Sequence, residues 1–87
     1  MVKISKAQLK ELTDSRSWER GIDYHQQGRV ISLLEDKNTL IAKVAGTHDY
    51  NVKLRVRNDE LDGSCDCSMG DAGVFCKHCV AVGLTYL

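Results

Sequence analysis

The hydrophobic period of this chain changes twice along its length. Apolar positions in the first third recur at helical spacing, those from Tyr50 to Val56 alternate, and those after Cys79 run almost unbroken. Ser5-Lys6-Ala7-Gln8 has the form of a capping box, with Ser5 as N-cap and Gln8 reaching back, and predicts a short helix from about Lys6 to Thr13. Asp14, Ser15 and Ser17 then offer a break or a second cap. From Arg16 to Gln27 the pattern is helical again, with Trp18 and Ile22 on one face, and Gly28 fits the left-handed position that ends a helix. Arg29 to Leu34 is rich in branched residues and Asp36-Lys37-Asn38 reads as a turn. Thr39 to Ala45 reads as a second strand, closed by Gly46. In the third strand Tyr50, Val52, Leu54 and Val56 alternate with Asn51, Lys53, Arg55 and Arg57, so one face is apolar and the other polar and basic. Asn58 to Gly63 is expected to turn the chain once more. Connections this short cannot make parallel crossovers, which leaves an antiparallel meander of three or four strands packed on helices. The fold class is α+β, with N-terminal helices, a small antiparallel sheet and a C-terminal helix.

Eighty-seven residues suffice for a single domain spanning 1–87. A chain of this size buries only roughly two-thirds of the surface it exposes when unfolded, so its core is thin and a covalent or metal staple is expected. The four cysteines select the staple. The opening MVKISKAQLK has no apolar segment of a secretory signal, which points to a reducing, cytoplasmic setting and away from cystine. No run approaches the ~18 apolar residues of a membrane span. Cysteines clustered near a histidine in such a setting point to metal.

The cluster is Cys65-Asp66-Cys67, eight residues, then Cys76-Lys77-His78-Cys79. Residues two apart in a strand face the same side, so Cys65 and Cys67 can offer both sulfurs to one ion. Two such cysteines make a poor disulfide, because their α-carbons stand about 7 Å apart. In a regular helix Cys76 and His78 would diverge by about 200°, so they converge only if Cys76 lies at or before the helix start. Gly70 and Gly73 ease the return between the two halves. Strand, loop and helix N-terminus would thus meet at zinc, which accepts three sulfurs and one nitrogen. Cys79 lies on the same helical face as Cys76, and from spacing alone a four-cysteine site remains open.

Cys-x-Cys, a variable loop and Cys-x-His resemble the SWIM zinc finger. The similarity extends upstream through Ser17-Trp18-Glu19-Arg20-Gly21, Tyr24, Gly28-Arg29-Val30, Val44, Gly46 and Tyr50-Val52, which look like the bacterial members. Ser68 stands where many members carry proline. The resemblance implies that Cys65, Cys67, Cys76 and His78 are the ligands, with Cys79 a small apolar residue of the helix. It also implies a module that binds DNA or protein, within a larger protein such as a helicase-like ATPase.

An enzyme is not expected. Four good ligands close a zinc site, whereas a catalytic zinc keeps a position for water. Gly70-Asp71-Ala72-Gly73 lacks the lysine and hydroxyl of a phosphate-binding loop. The alternative from another class is a redox or metal-responsive switch using the same thiols. Twelve basic residues balance twelve acidic ones, so total charge does not mark a nucleic-acid binder. Distribution is more telling: Lys53, Arg55 and Arg57 project from one face of the third strand, and Lys77 would extend that patch if the fold brings it near. Val80, Ala81, Val82, Leu84, Tyr86 and Leu87 leave the last helix without a polar face. It must be buried, in this domain or against the rest of a larger chain of which these residues are a fragment.

Overall fold

The computed structural model describes residues 2–68 and 75–87. The loop in which Gly70 and Gly73 were expected to return the chain, and the Gly70–Gly73 run itself, lie outside the described residues. Helix α1 covers Lys6–Glu11 and α2 covers Ser15–Gln26. Strands β1 (Val30–Asp36), β2 (Thr39–Ala45), β3 (Asp49–Arg57) and β4 (Glu60–Cys65) follow, and α3 (Lys77–Tyr86) ends the chain.

Local chemistry accounts for the helix boundaries. The Gln8 amide donates to Ser5 Oγ at 3.2 Å and the Ser5 amide to Gln8 Oε1 at 2.8 Å, so the capping box is closed in both directions. Asp14 caps α2 by accepting the Ser17 amide at 2.7 Å, which holds its carboxyl below the usual carboxylate range. Gly28 takes a φ of +68° just after α2, a conformation that costs glycine little.

The sheet is an antiparallel meander in the order β1-β2-β3-β4. Two turns are shorter than expected. The first strand continues through Asp36, and only Lys37 and Asn38 turn. The expected turn over Asn58–Gly63 shrinks to Asn58-Asp59, whose φ values of 52° and 65° suit a two-residue hairpin of primed type. Glu60 to Gly63 therefore belong to β4, paired residue by residue with β3 from Arg57↔Glu60 to Leu54↔Gly63.

Leu40, Ala42 and Val44 of β2 and Val52 and Leu54 of β3 line one face of the sheet, and all are buried. Helix α3 lies across that face, and α2 packs on the other side of α3. This middle position explains its composition. Residues 78 to 83 are buried all round, so the helix has no polar face because none of that stretch meets water. Leu9 of α1 closes the core beside it. The end of α3 is tied down by Tyr86, whose hydroxyl donates to Glu35 at 2.7 Å and accepts the Val2 amide at 3.1 Å. No helix of the described residues is long and apolar enough to cross a membrane.

Candidate metal centre

The centre forms where β4 ends and α3 begins. Cys65 is the last residue of β4, and Cys67 lies beyond it in a bend. The expected strand over both cysteines therefore stops one residue short of Asp66, and a side-chain clamp replaces it. Asp66 accepts the Asn51 backbone amide at 2.8 Å and the Asn51 side-chain amide at 2.9 Å, while its own amide donates to the Asn51 carbonyl at 3.2 Å. These bonds continue the β3 edge past β4 and hold the Asp66 carboxyl below its ordinary range. With Asp66 exposed, Cys65 and Cys67 on either side of it are both buried.

On the opposite side, Thr13 Oγ1 donates to the Phe75 carbonyl at 3.0 Å and anchors the approach to Cys76. Cys76 is the N-cap of α3 with extended backbone, φ −81° and ψ 174°, so it stands before the helix as convergence with His78 requires. His78, in the first turn, is held between two rings. Tyr50 stacks on it at 4.4 Å and Tyr24 meets it edge-on at 5.3 Å.

The ligand atoms of Cys65, Cys67, Cys76 and His78 all lie within 4.8 Å of one another, and all four residues are buried. His78 Nδ1 is 3.6 Å from Cys65 Sγ and 3.6 Å from Cys76 Sγ. With zinc–sulfur and zinc–nitrogen bonds of about 2.3 and 2.0 Å, a tetrahedral ion separates sulfur from nitrogen ligands by about 3.5 Å. The spacing therefore fits zinc, with Nδ1 as the coordinating nitrogen. Nε2 is buried and has no hydrogen-bond partner among the described residues. Cys79 falls outside the four-residue group, although its sulfur is 3.9 Å from that of Cys76.

The thiols are electrostatically unequal. Hydrogen bonding with the Cys65 and Cys79 side chains, with His78 adding to it, holds the Cys76 thiol below its usual range. Cys65 and Cys79 are pushed up in turn, first by their bond to Cys76 and then by burial. A dication removes this inequality by favouring thiolate at every sulfur it touches, with release of protons.

A strand-end Cys-x-Cys facing a helix-start Cys-x-His, with all four donors drawn around one point, defines a small zinc-binding domain. Residues 50–86 match the family model of the SWIM zinc finger. The match runs from β3 to the end of α3 and leaves α1, α2, β1 and β2 outside it. No curated protein and no solved structure matches the chain.

The four basic positions are not brought together. Lys53, Arg55 and Arg57 lie on the exposed face of β3, while Lys77 starts α3 on the opposite, helical side. Lys77 therefore does not extend the strand patch. Its ammonium instead sits 5.6 Å from the centre of the Tyr24 ring. On the sheet, Arg55 is paired across to Asp62 at 3.5 Å, and Arg57 stands opposite Glu60. The part played by Tyr24, Tyr50 and Asn51 around the ligands was not read from sequence. Only the long-range pairing of β3 with Asp66, and the docking of α2 on α3, give them that role.

Proposed function

We propose that Cys65, Cys67, Cys76 and His78 hold one structural zinc ion, and that the domain is a recognition module for DNA or protein rather than an enzyme. The observation that carries this reading is the closure of the donor set. Three buried sulfurs and one buried imidazole nitrogen converge within 4.8 Å, which supplies a full tetrahedral shell and leaves no place for a reactive water. Zinc bound there stabilises the junction of β4 and α3, and neutral His78 with three thiolates leaves the centre with about one negative charge. Such a domain presents surfaces from a fixed scaffold, and its place is within a larger cytoplasmic protein, with a helicase-like ATPase as the parent.

Structural zinc sites in small peptides contribute an apparent ~10–16 kcal/mol at neutral pH, as much as the whole stability of a small domain. The expected result is one zinc per chain by mass spectrometry under native conditions. Chelation should be accompanied by loss of at least the C-terminal third of the fold, followed by amide hydrogen exchange. A metal-free chain that retains full exchange protection would falsify the reading. The 3.9 Å between the Cys76 and Cys79 sulfurs favours one second reading, a thiol switch that operates once zinc has left. A thiol count on the chelated protein under mild oxidation separates the two, since a purely structural site needs no such pair.

A further inference from the structure

Cys79 is the one cysteine outside the four-donor group, yet its sulfur lies 3.9 Å from that of Cys76, a member of the group. The local backbone accounts for the contact. Cys76 is the N-cap of α3, with φ −81° and ψ 174°, and its side chain makes no cap bond. An N-cap side chain is directed over the second and third helical residues, and the third here is Cys79. A disulfide asks for about 2.0 Å between sulfurs and about 3.5–4.5 Å between β-carbons, against about 5–6 Å for residues three apart within a regular helix. The approach falls on the cap, whose φ and ψ lie outside the helix, so the pair can close without breaking a turn of α3.

The second observation concerns access. The N-terminal turns of α2 and α3 enclose a cleft of about 320 Å³ whose walls include Cys67 and Cys76. Asp14, Arg16 and Arg20 also line it and are exposed, so the cleft meets solvent. Cys79 is not among the walls and is fully buried. A water takes up about 30 Å³ of liquid, so a molecule the size of hydrogen peroxide has ample room in the cleft. A ligand sulfur thus borders a space open to small molecules, with a thiol in contact on its inner side. Arg16, Arg20 and Lys77 outnumber Asp14 in the walls, and their charge favours an anionic leaving group there.

We propose that Cys76 and Cys79 form an oxidation site, in which a hydroperoxide entering the cleft oxidises Cys76, Cys79 resolves the product as a Cys76–Cys79 disulfide, and zinc is expelled. The proposal rests on the zinc reading and deepens its thiol alternative, because oxidation here causes the loss of metal and does not merely follow it. Zinc has no redox chemistry of its own, so the sulfurs supply the electrons. The Cys76 thiolate attacks one peroxide oxygen, the O–O bond breaks, and hydroxide leaves with Cys76 as sulfenic acid. The Cys79 sulfur then attacks the Cys76 sulfur, the S–O bond breaks, and the Cys79 proton leaves with the hydroxyl as water. One peroxide is reduced by two electrons and one disulfide is formed. The shell has then lost a ligand and a negative charge, so affinity for the metal collapses. Cys79 suits the resolving role because it is the thiol that the metal does not hold, and a dithiol reductant restores both sulfurs.

The test treats the zinc-loaded chain with hydrogen peroxide, records free zinc with a chromophoric chelator and locates the disulfide by peptide mapping. Dithiothreitol and zinc are then added back. The expected result is release of the metal at least about tenfold faster than without peroxide, with Cys76–Cys79 as the main disulfide and nearly complete recovery of bound zinc. Cys79→Ala, which should keep its zinc while reduced, should also release it in peroxide. Without the resolving thiol, Cys76 should go on to sulfinic acid, which dithiothreitol does not reverse, so recovery should fall to less than about half. Zinc retained in peroxide, or a disulfide that joins Cys76 to Cys65 or Cys67 instead, would overturn the proposal. Equal recovery in Cys79→Ala and wild type would overturn it as well. Should that variant fold poorly, the disulfide mapped in the wild type decides alone. A wild type that purifies without zinc overturns the zinc reading together with this one, whereas a zinc-loaded protein with the wrong oxidation product overturns only the oxidation site.

Discussion

Gly21 packs tightly against α3, and Gly21→Ala tests whether that close approach positions the metal ligands. A methyl at this site would lie 2.4 Å from Val80 Cγ1, 2.5 Å from Val80 Cβ and 3.0 Å from the Lys77 carbonyl oxygen. Carbon atoms pack at about 3.5–4.0 Å, so the helices must part by about 1 Å. Val80 is β-branched and nearly confined to one rotamer in a helix, and its Cβ cannot move without the backbone. Overpacking of this kind costs about 1–3 kcal/mol, against which alanine's better helix propensity returns about 1 kcal/mol. With backbone atoms among the obstacles the cost belongs in the upper half of that range, for a net loss of about 1–2 kcal/mol. In a domain of this size each kcal/mol moves Tm by about 4–8 °C, so thermal unfolding followed by circular dichroism should show a fall of about 5–15 °C.

The same displacement should reach the metal. Lys77 stands between Cys76 and His78, so moving its carbonyl moves two ligands at once. Competition with a chromophoric chelator should show weaker zinc retention in Gly21→Ala than in wild type. Adding Val80→Ala should recover only part of the loss, since Val80 Cβ remains in the way. An unchanged or higher Tm, or full recovery in the double variant, would refute the packing argument.

His78→Ala should lower zinc retention by removing the only nitrogen donor of the group, whereas Cys79→Ala should keep one zinc per chain and cost about 1 kcal/mol as an ordinary core truncation. The reverse pattern in metal analysis would assign the fourth position to Cys79. Tyr86→Phe should change how stability depends on pH. The Tyr86 hydroxyl holds the Glu35 carboxyl below its usual range, so its contribution is present above the unfolded carboxylate value and is lost as pH falls through the lower folded value. The Tm difference between wild type and Tyr86→Phe should therefore be larger at neutral pH than in mild acid. A difference that grows on acidification would contradict that sign.

Much of this was legible because local signals and tertiary demands agree. Thr39–Ala45 is a strand with the expected boundaries, the alternation from Tyr50 to Val56 is that of β3, and Ser5 and Gln8 close the box their types suggest. β4 was hidden because Glu60-Leu61-Asp62-Gly63 offers a single branched-chain apolar residue amid turn formers, and it becomes extended only by pairing with β3. Cys67 shows the same limit. Its place beside Cys65 depends on Asn51, fifteen residues before Asp66, which no period along the chain reveals. Lys77 was misplaced for a related reason. Spacing locates it at a helix start, but which side of the sheet that helix covers is decided by the apolar face of β2 and β3.

The position of α3 determines how far the loss of zinc should spread. Val80 and Val82, fully buried, come from the helix whose first turn holds the metal, and they share one core with Leu40, Val52 and Leu54 of the sheet. The helix carries α2 on its other side, and α2 meets the sheet mainly through it. Releasing Cys76 and His78 from Cys65 and Cys67 therefore frees the middle layer, not an edge. Without α3 the apolar face of a four-stranded sheet is left to water, and a sheet of this size is stable only with that face covered. Metal removal should then unfold the domain in one cooperative step, with α2 and the β2–β3 pairing lost at the same chelator concentration as the site itself. Separate transitions for the helices and the sheet in hydrogen exchange would show that the core outlasts its zinc.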